Sequence, residues 1–70
     1  MSDYLTIARS RGEAAGWRVN QRQQPAKETT REWALRAAEQ QAIADNQKFD
    51  RTAAGAAYDA GFLKARSGNR

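Results

Sequence analysis

Apolar residues recur at helical spacing in two stretches of the chain, residues 3–22 and 47–66. In both stretches they step by three or four residues, which is the repeat of one helix face. Large residues stand at the ends of each series and small ones between them. The pattern predicts two helices that pack closely along small side chains. The two series are Leu5, Ala8, Gly12, Ala15 and Val19, and Phe49, Ala53, Ala56, Ala60 and Leu63.

A polar connector and a further helix are predicted between these stretches. Pro25 follows a run of amide side chains, and proline disfavours helical geometry at the residue before it. Thr29 and Glu32 have the spacing of a capping box, and strong helix formers follow them. Asp45 and Asn46 compete locally for backbone groups, so we expect a helix to end there instead of running on into the last one.

The chain is therefore predicted to be one all-α domain, 1–70, forming a small two- or three-helix bundle or helical hairpin with Ala/Gly-rich close packing. Helices are expected at about 3–19, 30–45 and 47–66, with a connector at about 20–28. Fifteen alanines stand against six Leu, Ile and Val residues, so the core is thin for a chain with little interior. Folding alone, completion on a partner and completion by self-association are all open alternatives.

The composition argues against catalysis. The chain has no cysteine and no histidine, which removes disulfides, thiolates, imidazole bases and the usual zinc ligands. Glu28 and Glu32 form a carboxylate pair, but they lie at a predicted helix start, where they offset the helix dipole. The remaining acidic residues are scattered, which disfavours a metal site. We therefore predict a protein that is not an enzyme and has no cofactor and no metal.

No apolar run approaches the roughly 20 residues that a membrane span requires. The first residues also lack the hydrophobic core of a signal peptide. These features predict a cytoplasmic protein with no membrane contact. A very small chain rich in Arg and Ala is typical of phage or mobile-element accessory proteins, for which the host cytoplasm or the virion is the expected compartment.

Four aromatic residues lie outside the helix faces that are predicted to pack. A bundle this small cannot bury two faces of every helix, so some of these aromatics should be exposed. Large aromatics beside arginines dominate protein-binding hot spots, which favours a protein partner and an inhibitor or adaptor role. Core filling is the other interpretation, since it is the commoner fate of helical aromatics. The four candidate partner-binding residues are Trp17, Trp33, Tyr58 and Phe62.

Charge is unevenly distributed along the chain. Residues 1–27 carry five basic and two acidic side chains, residues 28–50 carry three and five, and residues 51–70 carry four and one. Nine of the twelve cations are arginine, whose planar fork suits phosphate and carboxylate groups. The two ends are basic around an acidic middle.

The basic ends give the second functional alternative, which is nucleic-acid or ribonucleoprotein binding. Three arginines fall within a sector of about 40° on the first helix, and the last residues form a basic tail. A solvated charged face is the plainer interpretation, and the sequence motifs of known nucleic-acid folds are missing. A structural subunit that forms a homo-oligomer is the third alternative. The candidate basic residues are Arg11, Arg18, Arg22, Lys64 and Arg66, with Arg70 in the tail.

Overall fold

The computed structural model describes residues 3–24 and 26–68, which form three α-helices and one 3-10 turn without any strand. Helix α1 spans Tyr4–Asn20, α2 spans Arg31–Ala44 and α3 spans Arg51–Arg66, and the 3-10 turn covers Lys27–Thr29. The predicted all-α class is confirmed. Pro25 and Arg70, which supported the predicted connector and basic tail, lie outside the described residues.

Helices α1 and α3 run parallel to each other. Helix α2 lies between them in the sequence. At one end, the Tyr4 and Phe49 rings lie 5.4 Å apart between centroids. At the other end, Asn20 Nδ2 donates a hydrogen bond of 2.8 Å to the Arg66 carbonyl. Because both helix starts meet at one end and both helix ends at the other, the pair is parallel over its whole length.

Three glycines allow the backbones of α1 and α3 to touch. A Cβ atom added at Gly12, Gly16 or Gly61 would overlap a carbonyl oxygen of the opposite helix. These carbonyls belong to Tyr58, Phe62 and Arg9, respectively. The predicted close packing along small residues is thus present, and the glycines are the reason it is possible.

The core is built mainly from alanine, with one leucine and one tyrosine as its only large buried side chains among the described residues. Leu35 is 2% exposed and Tyr58 is 7% exposed. The Tyr58 hydroxyl donates a hydrogen bond of 2.5 Å to the Thr29 carbonyl, which ties the connector to α3. The core cluster comprises Ala8, Ala15, Ala34, Leu35, Ala38, Ala54 and Tyr58.

The predicted packing face of the last helix is wrong. Ala56, Ala60 and Leu63 are exposed, whereas the buried side of α3 carries Tyr58 and Gly61 together with Ala54, Gly55 and Ala65. Both faces of this helix are rich in alanine, so periodicity alone does not distinguish them. The opposite face packs because Gly61, together with Gly12 and Gly16 of α1, permits close contact between the two helices.

The predicted capping box at the start of α2 is also wrong. The N-cap residue is Thr30, and its side chain makes no capping hydrogen bond. The Thr29 and Thr30 hydroxyls instead donate to the carbonyls of Ala26 and Lys27, both at 2.8 Å. Each hydroxyl donates to the carbonyl three residues earlier in the chain, which the 3-10 turn brings within reach. The hydroxyls are therefore not used to cap the amides of α2.

Each of the three helices is followed, two residues after its last one, by a residue in the left-handed conformation. These residues are Arg22 with φ 58°, Asn46 with φ 56° and Gly68 with φ 73°. After α1, the amides of Gln23 and Arg22 donate to the carbonyls of Arg18 and Val19, which is the Schellman arrangement. The same arrangement follows α2, where it confirms the predicted break at residues 45–46.

Candidate functional site

A groove of about 280 Å³ opens beside Trp33 on the surface of α2. The Trp33 side chain forms one wall and remains 38% exposed, which is unusual for a residue with so much apolar area. Helix α1 and the 3-10 turn supply the facing wall. We call this the Trp33 groove, and it is lined by Arg11, Glu28, Trp33, Arg36, Ala37 and Gln40.

Two cations lie close to the indole of Trp33. The Lys27 ammonium lies 5.0 Å from the ring centroid and the Arg36 guanidinium carbon lies 5.8 Å from it, both within cation–π range. Arg36 also pairs with Glu32 at 3.1 Å, but both side chains of this pair are well exposed. An apolar wall with cations at its rim can bind an apolar side chain that has carboxylates next to it.

Arg11 connects α1 to the 3-10 turn beside the groove. Its Nη1 atom donates a hydrogen bond of 2.6 Å to the Glu28 carbonyl, which fixes the 3-10 turn against α1. A guanidinium carries five N–H donors, and Arg11 also lines the groove. Arg11 therefore tethers the 3-10 turn to α1 and still has N–H donors for a bound group.

The other three predicted aromatic anchors are less accessible than expected. Tyr58 is buried, which corrects the expectation that its face of α3 is exposed. Burial and the neighbouring Asp59 charge raise the pKa of the Tyr58 phenol, while Arg31 opposes the rise. Phe62 is half-buried and stacks on Tyr58 with centroids 6.4 Å apart, and Trp17 is half-buried on α1. Tyr58 is a core residue, and its hydroxyl positions the connector.

Four of the predicted basic residues lie at the end of the bundle where α1 and α3 both finish. Arg18 and Arg22 lie beside Asn20, which contacts Arg66 across the two helices. We call this surface the basic end, and it consists of Arg18, Arg22, Lys64 and Arg66. Since two parallel helices bring two negative dipole ends together, the cations in their last turns, Arg18, Lys64 and Arg66, stabilise the fold by about 0.3–1 kcal/mol each.

Arg22 does not lie on the first helix, contrary to the predicted stripe of Arg11, Arg18 and Arg22. Helix α1 ends at Asn20, and Arg22 takes a left-handed conformation in the turn that follows. Arg18 donates a hydrogen bond of 3.3 Å to the Gln24 carbonyl. The stripe is therefore divided: Arg11 belongs to the Trp33 groove and the other two arginines belong to the basic end.

Sequence reasoning missed the two cations beside Trp33 and the aromatic pair at the opposite end of the bundle. Arg36 follows Trp33 at i+3 spacing, which is a usable signal for contact on a helix. Lys27 reaches the ring only because the 3-10 turn folds back, and no local pattern indicates that. Tyr4 stands one residue before the first apolar series and Phe49 opens the second, and the parallel arrangement of α1 and α3 brings the two rings together.

Several aliphatic side chains are also exposed, namely Val19, Ile43 and Leu63. They lie on three different helices, and Leu63 continues the exposed alanine face of α3. Within the described residues, no helix is both long and apolar enough to cross a bilayer. The same residues contain no cluster of three or more acidic side chains that could hold a metal ion.

No family model, curated protein or solved structure matches this chain.

Proposed function

We propose that this protein is a non-catalytic binding module that docks through the Trp33 groove onto an acidic segment of a partner protein. The observation that carries the proposal is the exposed indole of Trp33 with the Lys27 and Arg36 cations next to it. Tryptophan and arginine are the residue types that contribute most to binding hot spots. A regulator or adaptor that covers or bridges its partner fits this surface.

The chemistry of the groove defines the partner. Its apolar wall accepts a Leu or Phe side chain, and its cations accept Asp or Glu on either side of that anchor. Rim charges raise the association rate through steering, whereas the apolar anchor sets the dissociation rate.

Tryptophan fluorescence tests the proposal directly. The variant Trp17→Phe leaves Trp33 as the single reporter, which can be titrated with short peptides that carry Asp or Glu around one Leu or Phe. Binding is expected to change the Trp33 emission and to protect the indole from acrylamide quenching. Peptides with the acids replaced by amides are expected to bind more weakly, because the charge contacts are lost.

Substitutions identify the surface. In the wild-type background, Trp33→Ala is expected to weaken peptide binding by about 2 kcal/mol, roughly thirtyfold in Kd. Ile43→Ala is the matched control, because Ile43 is also an exposed apolar residue of α2 but lies outside the groove. Equal losses in the two variants, with helicity retained by circular dichroism, would contradict the proposal.

A further inference from the structure

The basic end has no carboxylate near it in the chain. No Asp or Glu occurs in residues 14–27 or 60–70, although the chain has eight acidic residues. Among the described residues the two ion pairs are Arg31–Asp59 and Arg36–Glu32, and neither involves the basic end. Glu13 lines a pocket together with Lys64, so one carboxylate approaches the α3 side of this surface. The other three cations of the basic end, Arg18, Arg22 and Arg66, form no ion pair with the described residues.

Dipole compensation explains only part of this charge. Arg18, Lys64 and Arg66 lie in the last turns of their helices, where cations are favourable. Arg22 lies beyond the last turn of α1, so it gains little from the dipole, which decays within one turn. Its side chain is exposed and forms no hydrogen bond or ion pair with the described residues.

Arg22 also occupies a position that disfavours its residue type. The left-handed conformation is disfavoured for side chains other than those of Gly, Asn and Asp. The two equivalent helix ends carry residues that tolerate this conformation, Asn46 and Gly68. An arginine kept in a conformation that costs stability, at the most cationic end of the molecule, indicates a role for its charge.

We propose that the basic end binds the phosphodiester backbone of nucleic acid, separately from the Trp33 groove. Arg18 and Arg22 on one side and Lys64 and Arg66 on the other supply donors for phosphate oxygens. The amide side chains of Gln21 and Gln23 lie in the turn after α1 and add neutral donors, whereas Asn20 Nδ2 already donates to the Arg66 carbonyl. The protein would then link a nucleic acid to the acidic partner of the groove.

The test is fluorescence anisotropy with labelled duplex DNA, single-stranded DNA and single-stranded RNA over a range of NaCl concentrations. The full chain is expected to bind with log Kd linear in log salt concentration, as counterion release requires. The arm with the highest affinity identifies the form of nucleic acid. A flat salt dependence or no binding in all three arms would overturn the proposal.

Two variants of equal net charge localise the contact. Arg22→Asn with Lys64→Gln is expected to reduce the salt slope by about 2, because two phosphate contacts are lost. Lys48→Gln with Arg51→Gln removes the same charge at the opposite end and is expected to leave the slope unchanged. If both double variants lose the same slope, binding follows net charge alone and the proposal is wrong.

Stability and partner specificity give two further readouts. Arg22→Asn alone is expected to raise the unfolding midpoint while weakening nucleic-acid binding, since it relieves the backbone and removes the charge. Trp33→Ala is expected to leave nucleic-acid affinity unchanged, which separates this proposal from the groove. Displacement of the oligonucleotide by poly-glutamate at equal charge concentration would show a general acidic-surface site and overturn the proposal.

Discussion

Helix α3 attaches to α1 and to α2 in two different ways. Toward α1 the contact is backbone against backbone, through glycines whose missing side chains set the distance. Toward α2 and its connector the contact depends on side chains that reach across, such as the Tyr58 hydroxyl and the Arg31–Asp59 pair. The first kind of contact tolerates no added atom, whereas the second can rearrange.

The largest effect is expected from adding a methyl group to the α1–α3 contact. Gly12→Ala would place a Cβ against the Tyr58 backbone, which cannot move aside as a side chain can. We expect a loss of about 3 kcal/mol in the free energy of unfolding, measured by urea denaturation followed by circular dichroism.

Gly55→Ala is the matched control for this substitution. Its added Cβ would meet only the guanidinium of Arg31, which is the flexible end of an exposed side chain. The gain in helix propensity, about 1 kcal/mol, offsets the displacement of Arg31. Gly55→Ala should therefore remain within about 1 kcal/mol of the wild type. A loss equal to that of Gly12→Ala would show that the two contacts do not differ.

Removing the Tyr58 hydroxyl tests the side-chain contact. Tyr58→Phe keeps the buried ring but leaves the Thr29 carbonyl without its donor. We expect a loss of about 1 kcal/mol in the free energy of unfolding. A water molecule that donates to the Thr29 carbonyl in the variant would replace the lost hydrogen bond and remove this loss. Amide exchange of residues 27–31 should therefore be measured as well, because it reports whether water enters there.

The same hydrogen bond can be removed by raising the pH. The pKa of Tyr58 is raised above its ordinary value of 10.0, so its contribution to stability is complete below pH 10. This contribution is lost as pH rises through the folded-state pKa. In a Tyr4→Phe background, absorbance at alkaline pH should show Tyr58 ionising together with unfolding. Ionisation well before unfolding would contradict the buried placement.

The smallest effect is expected at the exposed ion pair. Arg31 and Asp59 are 3.3 Å apart, but their side chains are 53% and 57% exposed. Such pairs contribute about 0–1 kcal/mol, so Arg31→Gln should change the free energy of unfolding by less than about 0.5 kcal/mol. Added salt should have little effect on the stability of this variant, because the ion pair is already absent. A much larger loss on substitution would mean that the pair stabilises α2 more than its exposure suggests.

The sequence predicts the helices better than their orientation. The break at Asn46 and the close contact at Gly12 and Gly16 follow from local chemistry, because asparagine tolerates the left-handed conformation that ends a helix and glycine has no Cβ to keep two backbones apart. The buried side of α3 could not be predicted, since alanine covers both of its faces. Gly61 lies on the same side as Tyr58, and that coincidence was the one available signal.

Prediction of the candidate site was limited by long-range folding. Trp33 was predicted as a binding residue and is the most exposed of the four aromatics, but its binding role stays a prediction. The assignment of Arg11 to one surface and of Arg22 to another depends on where α1 ends and on how the connector folds back. Neither is encoded in helical periodicity.

The parallel arrangement of α1 and α3 has a consequence for how the chain folds. The glycines of α1 meet partners that lie more than forty residues later, so an emerging chain holds α1 without its main packing surface until α3 has left the ribosome. A helical protein with such distant pairings should fold more slowly than a bundle of sequential hairpins. In that interval the α1 surface is open to chaperones and to the same surface on another chain.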